Sequence, residues 1–211
     1  TITIEETPKY YMMSYAAIAI KNGEDQTGDY YSFGKTIDGY YTFILSDGMG
    51  SGCEASEQSK STVNIAEHLT EAGFGSNLIV DTINSIMSAK FSESEKFATL
   101  DLGKVDLYNG NISFIKMGAA PSFIKSNGEV KKIVSNNLPF GIVDEVEVEV
   151  VKDTLKPGDV VVSVSDGILD IDKSNAGDDT WIEKYLKNNS NDPMKLSQNI
   201  LNKAKELSKQ L

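Results

Sequence analysis

The spacing of apolar residues changes character twice along this chain. Residues 11–20 (YMMSYAAIAI) and 40–46 (YYTFILS) are dense in aromatic and aliphatic side chains. Such runs predict strands, the second buried on both faces. A polar stretch from Lys21 to Ser32, containing Gly23 and Gly28, separates them. The second run ends in Asp47-Gly48-Met49-Gly50-Ser51-Gly52, and a helical pattern follows. Ala55, Ser59, Val63, Ala66 and Leu69 share one face at three- and four-residue spacing. Gly73 and Gly75 end that helix. Ser76 caps a second one, whose Ile79, Ile83, Ile86 and Met87 form its buried stripe.

From Phe97 the period shortens to two. Ala98, Leu100, Leu102, Val105 and Leu107 lead into Asn109-Gly110 and then Ile112 to Met117. That order predicts a hairpin, because Asn-Gly accepts the positive φ of a type I′ turn. Phe123-Ile124, Asn127-Gly128 and Val130 to Val134 repeat the signal. Acidic and apolar residues alternate strictly from Glu145 to Val150, which predicts a half-buried strand. Pro157-Gly158 turns into a buried strand from Asp159 to Ser165, ending in Asp166-Gly167. The remainder, from Asp179, reads as helical, with Asn191-Asp192-Pro193 dividing two helices. No repeat, low-complexity tract or linker interrupts the pattern. Helices between strands, then antiparallel strands, then helices predict one layered α+β domain over residues 1–211.

Composition narrows what such a domain does. Its 211 residues suffice for a real core, and 40% apolar content argues against disorder. With 20 Lys+Arg against 31 Asp+Glu the net charge is -11, so no nucleic-acid partner is expected. An anionic substrate stays open if a metal ion reverses the local sign. Cys53 is the only cysteine, which excludes an intrachain disulfide and a thiolate zinc cluster and suits a reducing compartment. His68 is the only histidine, which excludes a multi-His metal site and disfavours Ser–His or Cys–His catalysis. Chemistry, if present, falls to carboxylates and hard cations. No run of about 18 apolar residues exists, so this chain is expected to make no membrane contact.

Three aspartates sit beside glycine at strand ends: Asp29 in Gly28-Asp29-Tyr30, Asp47 in Ser46-Asp47-Gly48, and Asp166 in Ser165-Asp166-Gly167. A carboxylate there projects from a rigid strand, while glycine lets backbone or ligand approach. Oxygen ligands without His or Cys suit Mg²⁺ or Mn²⁺. Asp-Gly is also a common turn, and Asp47 is equally placed to cap the following helix.

Six segments carry a more specific signal by their order: Gly28 to Ser32, Leu45 to Gly52, Ala98 to Asp101, Met117 to Phe123, Asn137 to Ile142, and Ser165 to Gly167. Together they resemble the metal-dependent protein phosphatases of type 2C (PPM), and most closely the stage II sporulation protein E branch. The resemblance implies an α/β/β/α sandwich of mainly antiparallel sheets with two Mn²⁺ or Mg²⁺ ions at one end. It implies that Asp47 bridges both ions, that the Gly48 carbonyl binds one, and that Asp166 ligates the other. Asp29 would support the site directly or through water. The implied reaction is hydrolysis of phosphoserine or phosphothreonine by metal-activated water. The implied substrate is a phosphorylated anti-anti-sigma factor, whose dephosphorylation activates a sporulation sigma factor. The helix pair after Asp47 would be a regulatory switch and the surface of a homodimer. The parent protein would be membrane-anchored at the sporulation septum, with this region a cytoplasmic domain.

One departure stands out. The family ends in an Asp-Asp-Met-Thr type motif that opens a last strand and supplies a further ligand. Asp178-Asp179-Thr180 resembles it in letters only, because it precedes Trp181 at a helix start, where capping is the better reading. The expectation is a catalytic core lacking its C-terminal strand, with at least one ion bound more weakly. A catalytically silent PPM-like interaction module, or a hard-metal domain without catalysis, are the competing readings. Cys53 is expected to be a small buried filler, His68 to lie on the surface, and Tyr10 to Tyr15 to belong to a core strand.

Overall fold

The structure, a computed structural model, describes residues 2, 6–20, 23–50, 52–90, 97–142, 146–171 and 181–208. Its strands fall into two sheets, every pairing antiparallel. The larger sheet contains β1 (Asp29–Lys35), β2 (Tyr40–Asp47), β3 (Leu100–Asp106), β4 (Asn111–Met117) and β7 (Val150–Thr154), in that spatial order. The smaller contains β5 (Ser122–Ser126), β6 (Glu129–Ile133) and β8 (Val160–Val162), ordered β6-β5-β8. The helices are α1 (Gly52–Glu71), α2 (Ser76–Lys90), the short α3 (Asp166–Leu169), α4 (Trp181–Lys187) and α5 (Pro193–Ser208).

Three apolar clusters glue these layers. Val63, Ala66, Ile83 and Met87 of the first helix pair meet Ile44, Leu100, Leu102 and Met117 of the larger sheet. Tyr41, Val105, Ile112 and Phe114 meet Ile124 and Ile133 between the sheets. Phe123 and Val160 meet Ile182, Leu186, Leu196 and Ile200 of α4 and α5. The result is the expected α/β/β/α sandwich. The central strands serve two of these interfaces at once, which is why no residue of β2 is exposed.

Several local expectations are corrected. Residues 11–20 form no strand: one backbone bond, Tyr10 N–H to the Leu107 carbonyl, anchors the segment, and Tyr41 Oη donates to Ser14 Oγ. Tyr10 and Met12 pack inward, while Tyr11, Met13, Tyr15, Ile18 and Ile20 are exposed. Apolar density marked the segment, but no strand edge meets it. Conversely, β1 begins inside the stretch read as polar, because Tyr30 to Lys35 pair with β2. Residues 146–149 keep the alternation, with Val146 and Val148 on the core, yet the ladder starts only at Val150. There the β4 edge is taken by Asn137, whose side chain donates to the Lys116 carbonyl. Strand β8 stops at Val162, three residues short of the predicted Ser165. In α2 the buried stripe runs through Val80 and Asn84, and Ile86 is exposed.

The two Asn-Gly turns also differ. Asn127 and Gly128 both have positive φ, as a type I′ turn requires. At the first hairpin only Gly110 does, and a longer loop closes through Gly110 N–H to the Asp106 carbonyl. The Asp106 carboxylate accepts from Tyr108 N–H and Asn109 Nδ2, which stabilises the wider turn. Asp192 caps α5 as its position before Pro193 implies, accepting from Met194 and Lys195 N–H. Glu145, Ser51 and Asp178-Asp179-Thr180 lie outside the described residues.

Candidate functional site

Asp29 and Asp47 stand opposite each other at matched ends of β1 and β2. Thr99 fixes Asp47 from the other side. Its N–H donates to the Asp47 carbonyl, and its Oγ1 accepts from Asp47 N–H, both at 2.9 Å. Gly48 continues the pairing by donating its N–H to the Gly28 carbonyl at 3.2 Å. A Cβ on Gly48 would fall 2.0 Å from the Ala55 carbonyl oxygen, so glycine alone lets α1 sit this close to the end of β2. Buried Gln58 of α1 reaches back to accept from Met49 N–H at 3.2 Å.

Asp166 arrives from the other sheet. It opens α3 just beyond β8 and is exposed. The preceding Ser165 donates to Asp29 Oδ2 at 2.9 Å, across 136 residues of sequence. A small cleft between the sheets is thereby lined by Asp47, Thr99, Asp101, Gly118, Ser165 and Asp166. All three predicted aspartates meet at this cleft or its rim.

The electrostatics follow from that crowding. Burial, then repulsion from Asp29 and Asp166, pushes the Asp47 carboxyl up to about 7, and Asp166 lies within hydrogen-bonding reach of it. Asp29 is raised as well, mainly by burial and further by Asp166, with the Ser165 hydroxyl working against the rise. A hard divalent cation would relieve this repulsion. The backbone agrees, since a Cβ on Gly28 would lie 3.4 Å from the Gly48 carbonyl oxygen and 3.5 Å from Asp47 Oδ1. Those two oxygens thus flank one small space. Among the described residues no group of three or more Asp, Glu, His or Cys side chains stands where it could hold a metal ion by itself.

Two expectations about single residues resolve in opposite ways. Cys53 is exposed at the start of α1, contrary to the buried filler expected. His68 is exposed, as expected, with Nδ1 2.6 Å from the Asn64 carbonyl. Thr99 and Asp101 belong to one of the ordered segments, yet their support of the cleft was not foreseen. Lys116 carried a signal of its own, a lone charge within an apolar strand.

The family described as Stage II sporulation protein E (SpoIIE) matches residues 37–211. Stage II sporulation protein E of Bacillus subtilis (strain 168) is 36% identical over 197 residues, covering 93% of this chain and 24% of that protein. Its counterpart from Priestia megaterium is 35% identical over 196 residues, covering 92% of this chain and 33% of that protein. The chain therefore spans about a quarter of the first of these relatives and a third of the second. A solved structure of the PP2C phosphatase domain with a fragment of the regulatory domain of SpoIIE from Bacillus subtilis superposes with a TM-score of 0.87. The identity there is 36%, covering 95% of this chain and 60% of that one.

Proposed function

The chain belongs to the stage II sporulation protein E (SpoIIE) family, and from that premise we propose that it is a divalent-metal-dependent protein phosphatase acting on phosphoserine or phosphothreonine. The observation that carries this reading is the meeting of Asp29, Asp47 and Asp166 at one cleft from three separate chain segments. Asp47, the Gly48 carbonyl and Asp166 would hold Mn²⁺ or Mg²⁺, two ions by family pattern. Asp29 supports them from the β1 end, oriented by Ser165. When bound, such ions supply Lewis acidity toward a phosphoryl oxygen and acidify water. The protein's own contribution is placement. Thr99 locks the Asp47 backbone, and Gly48 admits α1 so that Gln58 braces the same loop. Ordinary side chains then hold the carboxylates together against their mutual repulsion.

Family membership supports a phosphorylated anti-anti-sigma factor as substrate and a place at the sporulation septum for the parent protein. Among the described residues no helix is long and apolar enough to cross a membrane. Leu78 and Ile86 of α2 and Phe74 in the turn before it are exposed apolar side chains, which supports a homodimer through the helix pair.

The test is release of phosphate from a phosphoserine protein in excess Mn²⁺. Turnover is expected to depend on Mn²⁺ and to fall on the order of a hundredfold or more in Asp47→Ala and Asp166→Ala, with circular dichroism unchanged. Turnover that survives both substitutions would sink the assignment.

A further inference from the structure

The cleft joins two sheets, and among the described residues no backbone ladder connects them. Asp47 ends β2 in the larger sheet, whereas Asp166 follows β8 in the smaller one. Side chains must therefore set the distance between them. Ser165 supplies one link, to Asp29. A second runs beneath the cleft.

Asp101 and Lys116 face each other in register on β3 and β4, each 1% exposed. Lys116 Nζ lies 2.7 Å from Asp101 Oδ1 and donates to Ser122 Oγ of β5 at 2.8 Å. Ser122 gives its single hydroxyl hydrogen to Asp101 Oδ2. The 3.1 Å contact between Ser122 and Ser163 therefore has Ser163 as the donor. Ser163 stands three residues before Asp166. The network hooks the chain segment that carries Asp166 onto the strand beside β2, and Asp101 also lines the cleft.

Folding does not call for this arrangement. On the same face of β3 and β4, Val105, Ile112 and Phe114 are buried and apolar. A buried ion pair contributes little beyond apolar side chains of the same volume. Its geometric effect is different in kind, because hydrogen bonds fix distances where apolar packing tolerates sliding. Lys116 also neutralises Asp101, which leaves the charge of the cleft to Asp29, Asp47 and Asp166.

We propose that Lys116, Asp101, Ser122 and Ser163 are positioning residues that hold Asp166 at ion-binding distance from Asp47 and thereby set the cation affinity of the cleft. This rests on the reading of the cleft as a cation site. The network acts through Asp166, and its effect belongs to binding of the ion.

The experiment is Mn²⁺ binding to the whole chain, followed by the paramagnetic resonance signal of the free ion, with urea denaturation of each protein alongside. Ser163→Ala is expected to weaken Mn²⁺ binding about three- to tenfold, the effect of one hydrogen bond, and Ser163→Thr to restore most of it. The double variant Asp101→Leu/Lys116→Met is expected to keep or gain stability while binding Mn²⁺ about tenfold more weakly. Wild-type Mn²⁺ affinity in Ser163→Ala, or in a stable double variant, overturns the positioning role. Should the double variant not fold, the Ala and Thr substitutions at Ser163 decide alone. If Asp47→Ala leaves wild-type Mn²⁺ binding intact, the cleft is not the cation site and both readings fall together.

Discussion

Ser46-Asp47-Gly48 and Ser165-Asp166-Gly167 follow apolar strands in the same three letters, yet the fold treats them as opposites. At the first, the main chain is locked on every side. Asp47 completes a ladder with β1, Thr99 grips it from both N–H and carbonyl, and Gly48 presses against α1. At the second, β8 has already ended, Asp166 is exposed, and a Cβ on Gly167 would meet nothing within 4 Å. The serines differ as well. Ser46 is fully buried and its Oγ has no hydrogen-bond partner, whereas Ser165 ties Asp29. One half of the cleft is thus built by a locked main chain, and the other is tied only through serine side chains. A rigid and an adjustable carboxylate face each other, and under the proposed reading only the adjustable half offers cation affinity to tuning by side chains.

The glycines give the sharpest way to break this contrast. Gly48→Ala is expected to destabilise by about 3 kcal/mol or more, since backbone rather than a flexible side chain must move. Gly167→Ala is expected to change stability by less than about 1 kcal/mol, in the favourable direction. Urea midpoints of the two variants measure the difference, and equal effects would dissolve the comparison.

Protonation tests the crowding next. Asp47 has a folded value of about 7, above its ordinary 3.8, so its protonated form favours the folded state. With chelator present, stability is expected to fall as pH rises from about 4 to about 7, because the unfolded chain ionises first. Asp47→Asn is expected to flatten that slope, and Mn²⁺ to oppose it. Urea titrations across the same window read both effects, and a flat wild-type curve would show that the carboxylates do not repel as described.

The serines carry the smallest effects. Ser165→Ala removes a bond to a carboxylate and is expected to cost about 1 kcal/mol and to raise the Asp29 carboxyl further, visible in carboxyl carbon shifts. Ser46→Ala is expected to be neutral or mildly stabilising, because it deletes an unsatisfied buried hydroxyl.

Much of this molecule is written in local pattern. The stripe Ala55, Ser59, Val63 and Ala66 announced the inner face of α1, and Asn127-Gly128 announced a type I′ turn. Segment 11–20 was less honest. Its apolar residues have the composition of a strand, but a strand also needs an edge to pair with, and the local sequence does not say whether one is present. Asn109-Gly110 failed for a related reason, since the Asp106 side chain favoured a wider loop over the two-residue turn.

The sequence by itself determined the layers, the use of carboxylates in place of histidine or cysteine, and the three aspartates worth watching. Periodicity reports which face of an element meets the core, and composition reports which chemistry is available. Only the tertiary structure decided that Asp47 is held mainly through its backbone, whereas the segment leading to Asp166 is tied through the hydroxyls of Ser163 and Ser165. It alone joined Ser165 to Asp29, and Lys116 to Asp101, Ser122 and Ser163. The Ser165–Asp29 bond and the contacts of Lys116 and Asp101 with Ser122 cross from one sheet to the other. No local spacing encodes them, because the distance between two packed sheets is set by the side chains that meet there.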